Sequence, residues 1–253
     1  MIKVLIAGET WINITTHIKG FDSFQTSVYK EGIEFIRTAL EKNGCEVTHI
    51  PNHSASRDFP DTKERLSEYD VVILSDIGSN NLLLSQSVFT DGLQKSNKLN
   101  LIHDFVYKEG KALIMVGGYM SFAGYDGKAR YNQTVLADIV PIQMLDIDDR
   151  VEHPEGCLPV VRSGQKNHPV LSDITGTWPL LLGYNKTIED NSKGLTLVDV
   201  GSDPLIAIGE FGKGRSAVFT SDCAPHWCTK EFIQWDGYEK IWKNLVNWLV
   251  KKV

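Results

Sequence analysis

The amino-acid sequence predicts an α/β fold: a parallel sheet with helices on both faces and a β-rich C-terminal extension. Short apolar runs alternate with stretches of helical spacing through about the first 140 residues. Beyond that point, several apolar runs follow one another without helices between them, and an amphipathic helix over residues 238–250 ends the pattern. Because no linker or low-complexity tract interrupts the chain, we expect one domain over residues 1–253.

The composition is that of a globular protein and excludes several classes of partner. Of the 253 residues, 42% are hydrophobic and 23% are charged, and the formal net charge is -6. The sequence has no basic stripe, so we expect no nucleic-acid partner. No apolar run approaches the roughly 20 residues of a membrane span, and the short apolar N-terminus does not resemble a signal peptide. We therefore expect a cytoplasmic protein without membrane contact.

The first half of the chain alternates strands and helices. The predicted strands are residues 3–7, 46–50, 71–74 and Ala112–Val116, and the predicted helices are residues 31–42, 62–68 and 99–107. In the first helix, Ile33, Ile36 and Leu40 fall at helical spacing. Asp61 is the predicted cap of the second helix. Such alternation predicts right-handed crossovers and hence parallel strands.

Two polar segments, residues 9–25 and 51–60, are predicted as loops. The first is longer than most connections after a strand, and such loops tend to be functional. His17 and Lys19 on it are candidates for binding an anionic part of a substrate. The alternative interpretations are a surface excursion packed on Trp11 and Phe21, and an exposed pair of polar residues without function.

The second half is predicted to be rich in short strands. They lie around residues 158–161, 180–184, Leu195–Val200, 205–211 and 216–220, with Gly212-Lys213-Gly214 as a hairpin turn. The final helix has a wide apolar face that includes Trp242, Leu245 and Trp248. This face can pack on the protein's own sheet or partly on a second copy, so a homo-oligomer is expected.

The carboxyl ends of parallel strands share one edge of the sheet, which is where open α/β folds bind ligands. This topology collects the candidate site residues Glu9, Thr10, Asp76, Gly78, Gly117, Gly118, Tyr119, Ser121 and Asp222. Gly117-Gly118 matches neither a dinucleotide fingerprint nor a P-loop, so a phosphate cradle is the weaker interpretation. We expect a small-molecule ligand and no cofactor.

Asp222 and His226 are the best candidates for acid–base chemistry. A histidine exchanges protons near neutral pH, and a carboxylate close by can orient it. The alternative is a histidine that caps a helix or bonds a backbone carbonyl. Trp227 follows directly and is expected at the edge of the site. Glu9 is a candidate base or polar contact to the ligand.

Three other residues are candidate nucleophiles or hydrogen-bond donors. Tyr119 lies at the tip of the turn after the central strand and can donate to a substrate oxygen, or it can simply fill the turn. Ser121 would need His226 as its base. Cys223 follows a strand, where cysteines are usually buried. Cys223, His226 and Cys228 fit no common zinc spacing, so no metal is expected.

Four segments together resemble the class I glutamine amidotransferase-like proteins, a group that is also similar to the trehalose-utilisation ThuA-like proteins. They are IMVGGYMSF (residues 114–122), SDIG (75–78), THIKGF (16–21) and SDCAPHW (221–227). The resemblance spans nearly the whole chain and implies a flavodoxin-like α/β fold. In the active glutaminases of the family, it also implies a cysteine at the turn, called the elbow, with a histidine and a glutamate later in the chain.

This chain departs from the glutaminase pattern at two positions. Tyr119 takes the place of the elbow cysteine, and Cys228 stands where the glutamate after the histidine is expected. Both departures argue against hydrolysis of glutamine by a thiol. The resemblance therefore favours a hydrolase or lyase acting on a small polar metabolite, with a sugar derivative implied by the ThuA-like group. The alternatives are a ligand-binding or assembly protein without catalysis, and a glutaminase that uses an unexpected residue.

Overall fold

The computed structural model describes residues 1–251. Its strands are β1 (Ile2–Gly8), β2 (Thr10–Lys19), β3 (Asp22–Glu31), β4 (Cys45–Ile50), β5 (Val71–Ser75), β6 (Ala112–Val116), β7 (Ile142–Met144), β8 (Arg150–Cys157), β9 (Pro159–Val161), β10 (Leu181–Asn185), β11 (Thr187–Glu189), β12 (Leu195–Val200), β13 (Asp203–Phe211) and β14 (Gly214–Phe219). Its α-helices are α1 (Glu34–Lys42), α2 (Asn52–Asp58), α3 (Lys63–Ser67), α4 (Asn80–Leu83), α5 (Gln86–Phe89), α6 (Lys98–Tyr107), α7 (Lys230–Gln234) and α8 (Asp236–Leu249). Short 3₁₀ turns cover Tyr125–Gly127, Tyr131–Gln133, Val135–Ile139 and Pro169–Leu171.

An eight-stranded sheet forms the centre of the molecule, in the order β4-β1-β5-β6-β14-β13-β12-β9. Neighbouring strands from β4 to β14 pair in parallel, whereas β13, β12 and β9 continue the sheet with antiparallel pairing. The predicted fold class, a flavodoxin-like parallel sheet with a β-rich C-terminal extension, is thereby confirmed. The expectation of one domain over residues 1–253 stays a prediction.

Helices cover both faces of the sheet because successive side chains of a buried parallel strand point to opposite sides. In β1, Val4 and Ile6 belong to a core that α1 and α8 share, whereas Leu5 and Ala7 belong to a second core that α6 helps to close. The apolar face of α8, including Trp242 and Leu245, is buried within its own chain. This packing removes the final helix as the surface through which a homo-oligomer was expected to form.

Residues 9–25 are not a loop, and this prediction was wrong. β2 and β3 pair antiparallel from Thr10↔Glu31 to Lys19↔Asp22, so that residues 10–31 form one long hairpin, here called the arm. Gly20 occupies the first position of its two-residue turn with φ +65°, a conformation that suits glycine. Alternation of β-branched and polar residues along β2 was the signal for a strand.

Three helix boundaries also differ from the sequence expectations. Residues 51–60 were predicted as a loop but contain α2, which follows directly after Pro51, a residue common at helix starts. The first helix begins at Glu34 rather than residue 31, because β3 of the arm runs to Glu31. Thr62, not Asp61, caps α3, its hydroxyl accepting the Arg65 N–H at 3.4 Å. In the described part of the chain, residues 1–251, no helix combines the length and apolarity needed to cross a membrane.

Candidate functional site

Four parallel strands end in register at one edge of the sheet. Gly8 pairs with Ser75, Ser75 with Val116, and Val116 with Phe219. The chain therefore leaves these strands side by side at Glu9, Asp76, Gly117 and Thr220. This arrangement confirms the prediction that the carboxyl ends bring the candidate segments to one neighbourhood.

Glu9 and Asp76 leave their strands with a strained backbone. Their φ angles are +56° and +44°, in the left-handed region that residues other than glycine seldom adopt. The peptide of Glu9 is fixed on both sides, since its N–H donates to Ser75 O at 2.8 Å and its carbonyl accepts the Gly32 N–H at 2.9 Å. Such strain costs about 1–3 kcal/mol per residue and clusters at functional sites.

The Glu9 carboxyl group lies in the interior, with 1% of the residue exposed. The Ser75 hydroxyl donates to its Oε2 at 2.6 Å, and the Cys223 thiol lies 3.6 Å from the same oxygen. Burial, followed by the negative charges of Asp222 and Asp76, raises the pKa of Glu9 well above its ordinary value. This environment favours the protonated form of the Glu9 carboxyl group relative to that of an exposed glutamate.

Asp76 is built into the elbow turn. Its Oδ1 accepts the Met120 N–H at 2.7 Å, and its own N–H donates to the Ser121 hydroxyl at 3.1 Å. Gly118 has φ +148°, and a β-carbon there would lie 2.9 Å from Asp76 Oδ1, so the close approach of the two segments requires glycine. Burial and the charge of Asp222 raise the pKa of Asp76 to about 6.

His226 forms a pair with Asp222. Its Nδ1 lies 3.3 Å from Asp222 Oδ2, and the other carboxylate oxygen accepts the Ala224 N–H at 3.0 Å. Burial lowers the pKa of His226, but the hydrogen bond and charge of Asp222, with smaller contributions from Glu152 and Asp76, outweigh it, so the pKa is raised. The His226 side chain is 39% exposed whereas that of Asp222 is 6% exposed.

Aromatic rings and Glu152 surround His226. The Tyr119 ring meets the imidazole edge-on at 4.5 Å, and the Trp227 ring stacks on the imidazole at 5.1 Å. Tyr119 donates its hydroxyl to Glu152 Oε1 at 3.0 Å, while the indole N–H of Trp227 donates to Oε2 at 3.0 Å. The Arg150 guanidinium lies 4.7 Å from the centre of the Tyr119 ring. Burial, then the hydrogen bond to Glu152, raises the pKa of Tyr119.

The β-rich extension holds the elbow in place. Asn185 accepts the Gly118 N–H at 2.9 Å and donates to Asp149 Oδ1 at 2.8 Å. Asp149 in turn accepts the N–H groups of Ala123 and Gly124 at 2.8 and 3.0 Å. Sequence reasoning missed Asn185 and Asp149, as well as Arg150 and Glu152. These residues come from segments without a motif, and only the folded sheet brings them to the elbow.

Two predicted site residues are used inside the protein. The Ser121 hydroxyl donates to Val116 O at 2.5 Å while it accepts from Asp76, and the residue is 2% exposed. Thr10, also 2% exposed, accepts the Asn52 N–H on its hydroxyl at 2.8 Å. Gly78 lies close to the elbow, since a β-carbon there would lie 2.8 Å from Met120.

His17 and Lys19 lie on the arm, away from the carboxyl groups of the elbow edge. His17 stacks on Phe24 at 4.6 Å and bonds the Thr26 hydroxyl at 3.1 Å. Since a strand rises about 3.4 Å per residue, His17 lies roughly 24 Å along β2 from Thr10. The structure therefore does not bring these two residues into the site that Glu9, Asp76, Tyr119, Asp222 and His226 form.

Within residues 1–251, one set of potential metal ligands converges: atoms of Glu9, Asp222 and Cys223 lie within 4.8 Å of one another. These groups are buried and already bonded within the protein, with Ser75 donating to Glu9. Burial raises the pKa of the Cys223 thiol well above its ordinary value, which disfavours the thiolate that a metal requires. Cys228 stands where the glutaminases of the family have their glutamate. Its thiol donates to the Asp222 carbonyl at 2.8 Å and does not orient His226.

Comparison with known proteins assigns the family. Residues 3–251 match the model of the family described as "Putative glutamine amidotransferase". None of the curated proteins matches the chain.

Several solved structures are similar to this one. The chain is 40% identical to "Cytoplasmic Protein STM3548 from Salmonella typhimurium", with a TM-score of 0.93, covering 98% of this chain and 99% of that one. It is 41% identical to "Cytoplasmic Protein STM1381 from Salmonella typhimurium LT2", with a TM-score of 0.92 and coverage of 98% and 99%. A third structure, SMU.1228c, is 13% identical with a TM-score of 0.52 over 98% of this chain and 99% of that one, and shares the fold alone.

Proposed function

The chain belongs to the glutamine amidotransferase-like family, and from that premise we propose that it is a cytoplasmic enzyme of the hydrolase or lyase type, with His226 as its acid–base group. Its substrate in this proposal is a small polar metabolite bound at the elbow edge. The cytoplasmic location rests on the chain's composition and on the printed names of the two Salmonella proteins.

The observation that carries the proposal is the pair of His226 and Asp222. The carboxylate lies against Nδ1 of the imidazole at 3.3 Å, so Nε2 is the nitrogen available for proton transfer to a substrate. A buried carboxylate that orients a half-exposed histidine is the base-and-orienter arrangement of many hydrolases. Asp222 is held by the Ala224 N–H, so the carboxylate is itself fixed.

Two further carboxyl groups add proton-donating capacity at the same edge. The pKa of Asp76 is raised to about 6, and that of Glu9 is raised well above its ordinary value. A pair of groups with shifted pKa values is how active sites provide both an acid and a base near neutral pH. In the proposal, Asp76 in its protonated form, which predominates below a pH of about 6, is the acid closest to the elbow, and Glu9 lies at the buried end of the cluster.

The residues at the elbow favour a mechanism in which water attacks the substrate or a proton is transferred directly. They disfavour a mechanism in which a protein side chain bonds covalently to the substrate. Tyr119 has a raised pKa and donates its hydroxyl to Glu152, so it is a neutral hydrogen-bond donor. Cys223 and Cys228 are buried with raised pKa values, which suppresses the reactive thiolate. The Ser121 hydroxyl is already bonded to Val116 O and Asp76 N–H. A thiol glutaminase mechanism has no support in these groups.

A neutral, hydroxyl-rich substrate fits the charge and shape of this edge best. The exposed carboxylate of Glu152 can accept hydrogen bonds from hydroxyls and repels anions. The charge of Arg150 is engaged by Asp148, whose Oδ2 lies 2.7 Å from the guanidinium. The rings of Tyr119 and Tyr125 lie 6.0 Å apart, and the Arg150 guanidinium lies 4.7 and 4.0 Å from their centres. In the proposal, the carbon face of a sugar packs on the aromatic surface that Arg150 does not cover. This agrees with the ThuA-like resemblance.

The test is a turnover screen by proton NMR with a panel of neutral sugars, sugar amides, polyols and glutamine. We expect product from a neutral hydroxylated member of the panel, and expect His226→Ala and Tyr119→Phe to abolish it while both variants keep the wild-type circular dichroism spectrum. Full activity in both variants contradicts the proposal.

The exposed arm favours a second candidate function, a protein that binds a ligand or assembles without catalysis. This alternative predicts that a panel member raises the melting temperature without forming product. A third possibility, a glutaminase with an unexpected residue, predicts ammonia release from glutamine. Comparing that release with and without a thiol alkylator would separate it from the proposed mechanism.

A further inference from the structure

The arm exposes more apolar surface than any segment of similar length in the described chain. Of the 22 large hydrophobic residues that are exposed, eight lie between residues 11 and 29. Ile14 is 65% exposed, Ile18 75%, and Phe21 at the turn is fully exposed. A two-stranded hairpin is marginally stable in water without further packing. Clusters of exposed apolar residues mark interaction surfaces.

The two faces of the arm differ in charge. Residues paired across the strands share a face, so one face carries Ile12–Tyr29, Ile14–Ser27, Thr16–Gln25 and Ile18–Ser23. This face, here called the isoleucine face, has no charged residue over these four pairs. Glu31, which pairs with Thr10, is the charged residue at the base of the same face. The opposite face carries Lys30 at its base and Lys19 with Asp22 at its tip.

We propose that the isoleucine face is a docking surface for a second copy of this chain, packed on the same face of its partner about a twofold axis. A twofold contact places each surface against itself. Four residue pairs without a charge tolerate that arrangement, whereas docking through the opposite face would take Lys19, Asp22 and Lys30 out of water. This inference does not depend on the proposed reaction.

The geometry of the arm specifies how the two copies lie. β2 spans ten residues, so the arm is about 31 Å long at 3.4 Å per residue. Two arms packed antiparallel place Ile14, near the middle of β2, beside the axis and the tip of each arm over the base of the other. The tip residue is Phe21.

A cleft of about 230 Å³ lies at the base of the arm, where Phe21 of the partner would arrive. It is lined by Ile12 and Tyr29 of the isoleucine face and by Asn52, His53 and Asn81 beside it. A cavity of about 150 Å³ accommodates a benzene molecule, so one phenylalanine ring fits. The arm therefore supplies both a protruding apolar tip and a cleft that can receive it.

The size of the contact predicts a reversible dimer. One face measures about 31 Å by about 10 Å, since neighbouring strands lie roughly 4.8 Å apart. With the tip and cleft, we estimate about 400 Å² per copy, which is below the roughly 800 Å² per partner of standard interfaces and typical of weak association. Dimer and monomer should therefore exchange with concentration.

Sedimentation velocity across the micromolar range tests the proposal with the full chain. We expect the wild-type mass to rise from one chain to two as concentration rises. Ile14→Glu and Ile14→Lys should each weaken association by about 100-fold or more, because like charges then meet at the axis. An equimolar mixture of the two variants should restore the dimer.

Val28→Glu is the matched control, since Val28 is 50% exposed at a similar height on the opposite face. This variant should associate as the wild type does. A wild-type protein that stays monomeric at the highest concentration contradicts the proposal, as does a dimer that survives Ile14→Glu. Failure of the mixture to restore association would contradict the predicted place of Ile14 at the axis. None of these results depends on turnover, so they leave the proposed function separately testable.

Discussion

The elbow edge and the arm meet at adjacent residues yet have opposite surroundings. Glu9 carries a carboxyl group into the interior with 1% exposure, whereas Ile14 carries an aliphatic chain into water with 65% exposure. At the edge, burial changes the chemistry of polar groups by shifting their pKa values. On the arm, exposure leaves apolar area that one chain does not bury. The edge thus gathers buried polar groups with shifted pKa values, and the arm leaves apolar side chains exposed.

The largest effect should come from comparing two His–Asp contacts of equal length, one at the elbow edge with a buried carboxylate and one on α6 with an exposed carboxylate. His226→Ala should lower turnover by about 10²–10⁴-fold, the usual contribution of a general acid–base group. His103 lies 3.3 Å from Asp104, the same separation as in the His226–Asp222 pair, but on α6. His103→Ala should leave turnover unchanged in the same NMR assay. Equal losses in the two variants would show that a general structural effect is responsible.

The second comparison sets a glycine of the edge against a glycine of the arm. Gly118→Ala combines an unfavourable φ with a contact to the buried Asp76 side chain, so we expect it to lower the free energy of unfolding by about 3 kcal/mol. Gly20→Ala meets no atom within 4 Å and should cost about 1 kcal/mol for its left-handed φ alone. Urea unfolding measures both values. A larger loss for Gly20→Ala would overturn this view of the elbow.

The third effect is a pH dependence of stability that originates at the edge. The pKa of Asp76 is raised to about 6 in the folded protein. As pH rises, the Asp76 carboxyl group therefore loses its proton at a lower pH in the unfolded chain than in the folded one. The contribution of Asp76 to the free energy of unfolding therefore falls by about 1 kcal/mol between pH 5 and pH 7. Asp76→Asn should remove this part of the pH dependence of the free energy of unfolding.

Asp58 provides the control for that measurement. Its hydrogen bond with Arg57 lowers its pKa to about 2, so its titration lies below the window. Asp58→Asn should leave the slope between pH 5 and pH 7 unchanged, as urea unfolding at several pH values would show. An unchanged slope in Asp76→Asn would contradict the raised pKa.

The smallest effect is expected at the tip of the arm. Phe21→Ser should change the free energy of unfolding of the monomer by less than about 0.5 kcal/mol, because the side chain is fully exposed in one chain. The same substitution should weaken self-association in sedimentation. A substantial loss of monomer stability would mean that Phe21 packs within its own chain.

The sequence sufficed to predict the sheet and its edge because these depend on local patterns. The buried runs of β1, β5 and β6 are uninterrupted, and a glycine or polar residue ends each of them. The arm escaped prediction because its alternation of Ile12, Ile14 and Ile18 with polar neighbours was interpreted as a polar loop. In an amphipathic strand the same alternation normally packs on a core, whereas in the described residues 1–251 these isoleucines stay exposed.

The second half of the site could not be predicted from local patterns. Glu152 bonds both Tyr119 and Trp227, and Asn185 bonds Gly118, over long separations in the chain. Neither residue lies in a motif, and their place depends on how the antiparallel extension folds back over the elbow. The pair of Asp222 and His226 could be proposed because both residues lie in one short segment.

The central claim is that Asp222 makes His226 a stronger base, and an NMR titration of the His226 imidazole tests it without any substrate. We predict a pKa above the ordinary value of about 6.5 for the wild type. In Asp222→Asn the pKa should fall, because the opposing effect of burial remains while the charge is lost. A wild-type value at or below 6.5, or a value that Asp222→Asn leaves unchanged, would contradict the account.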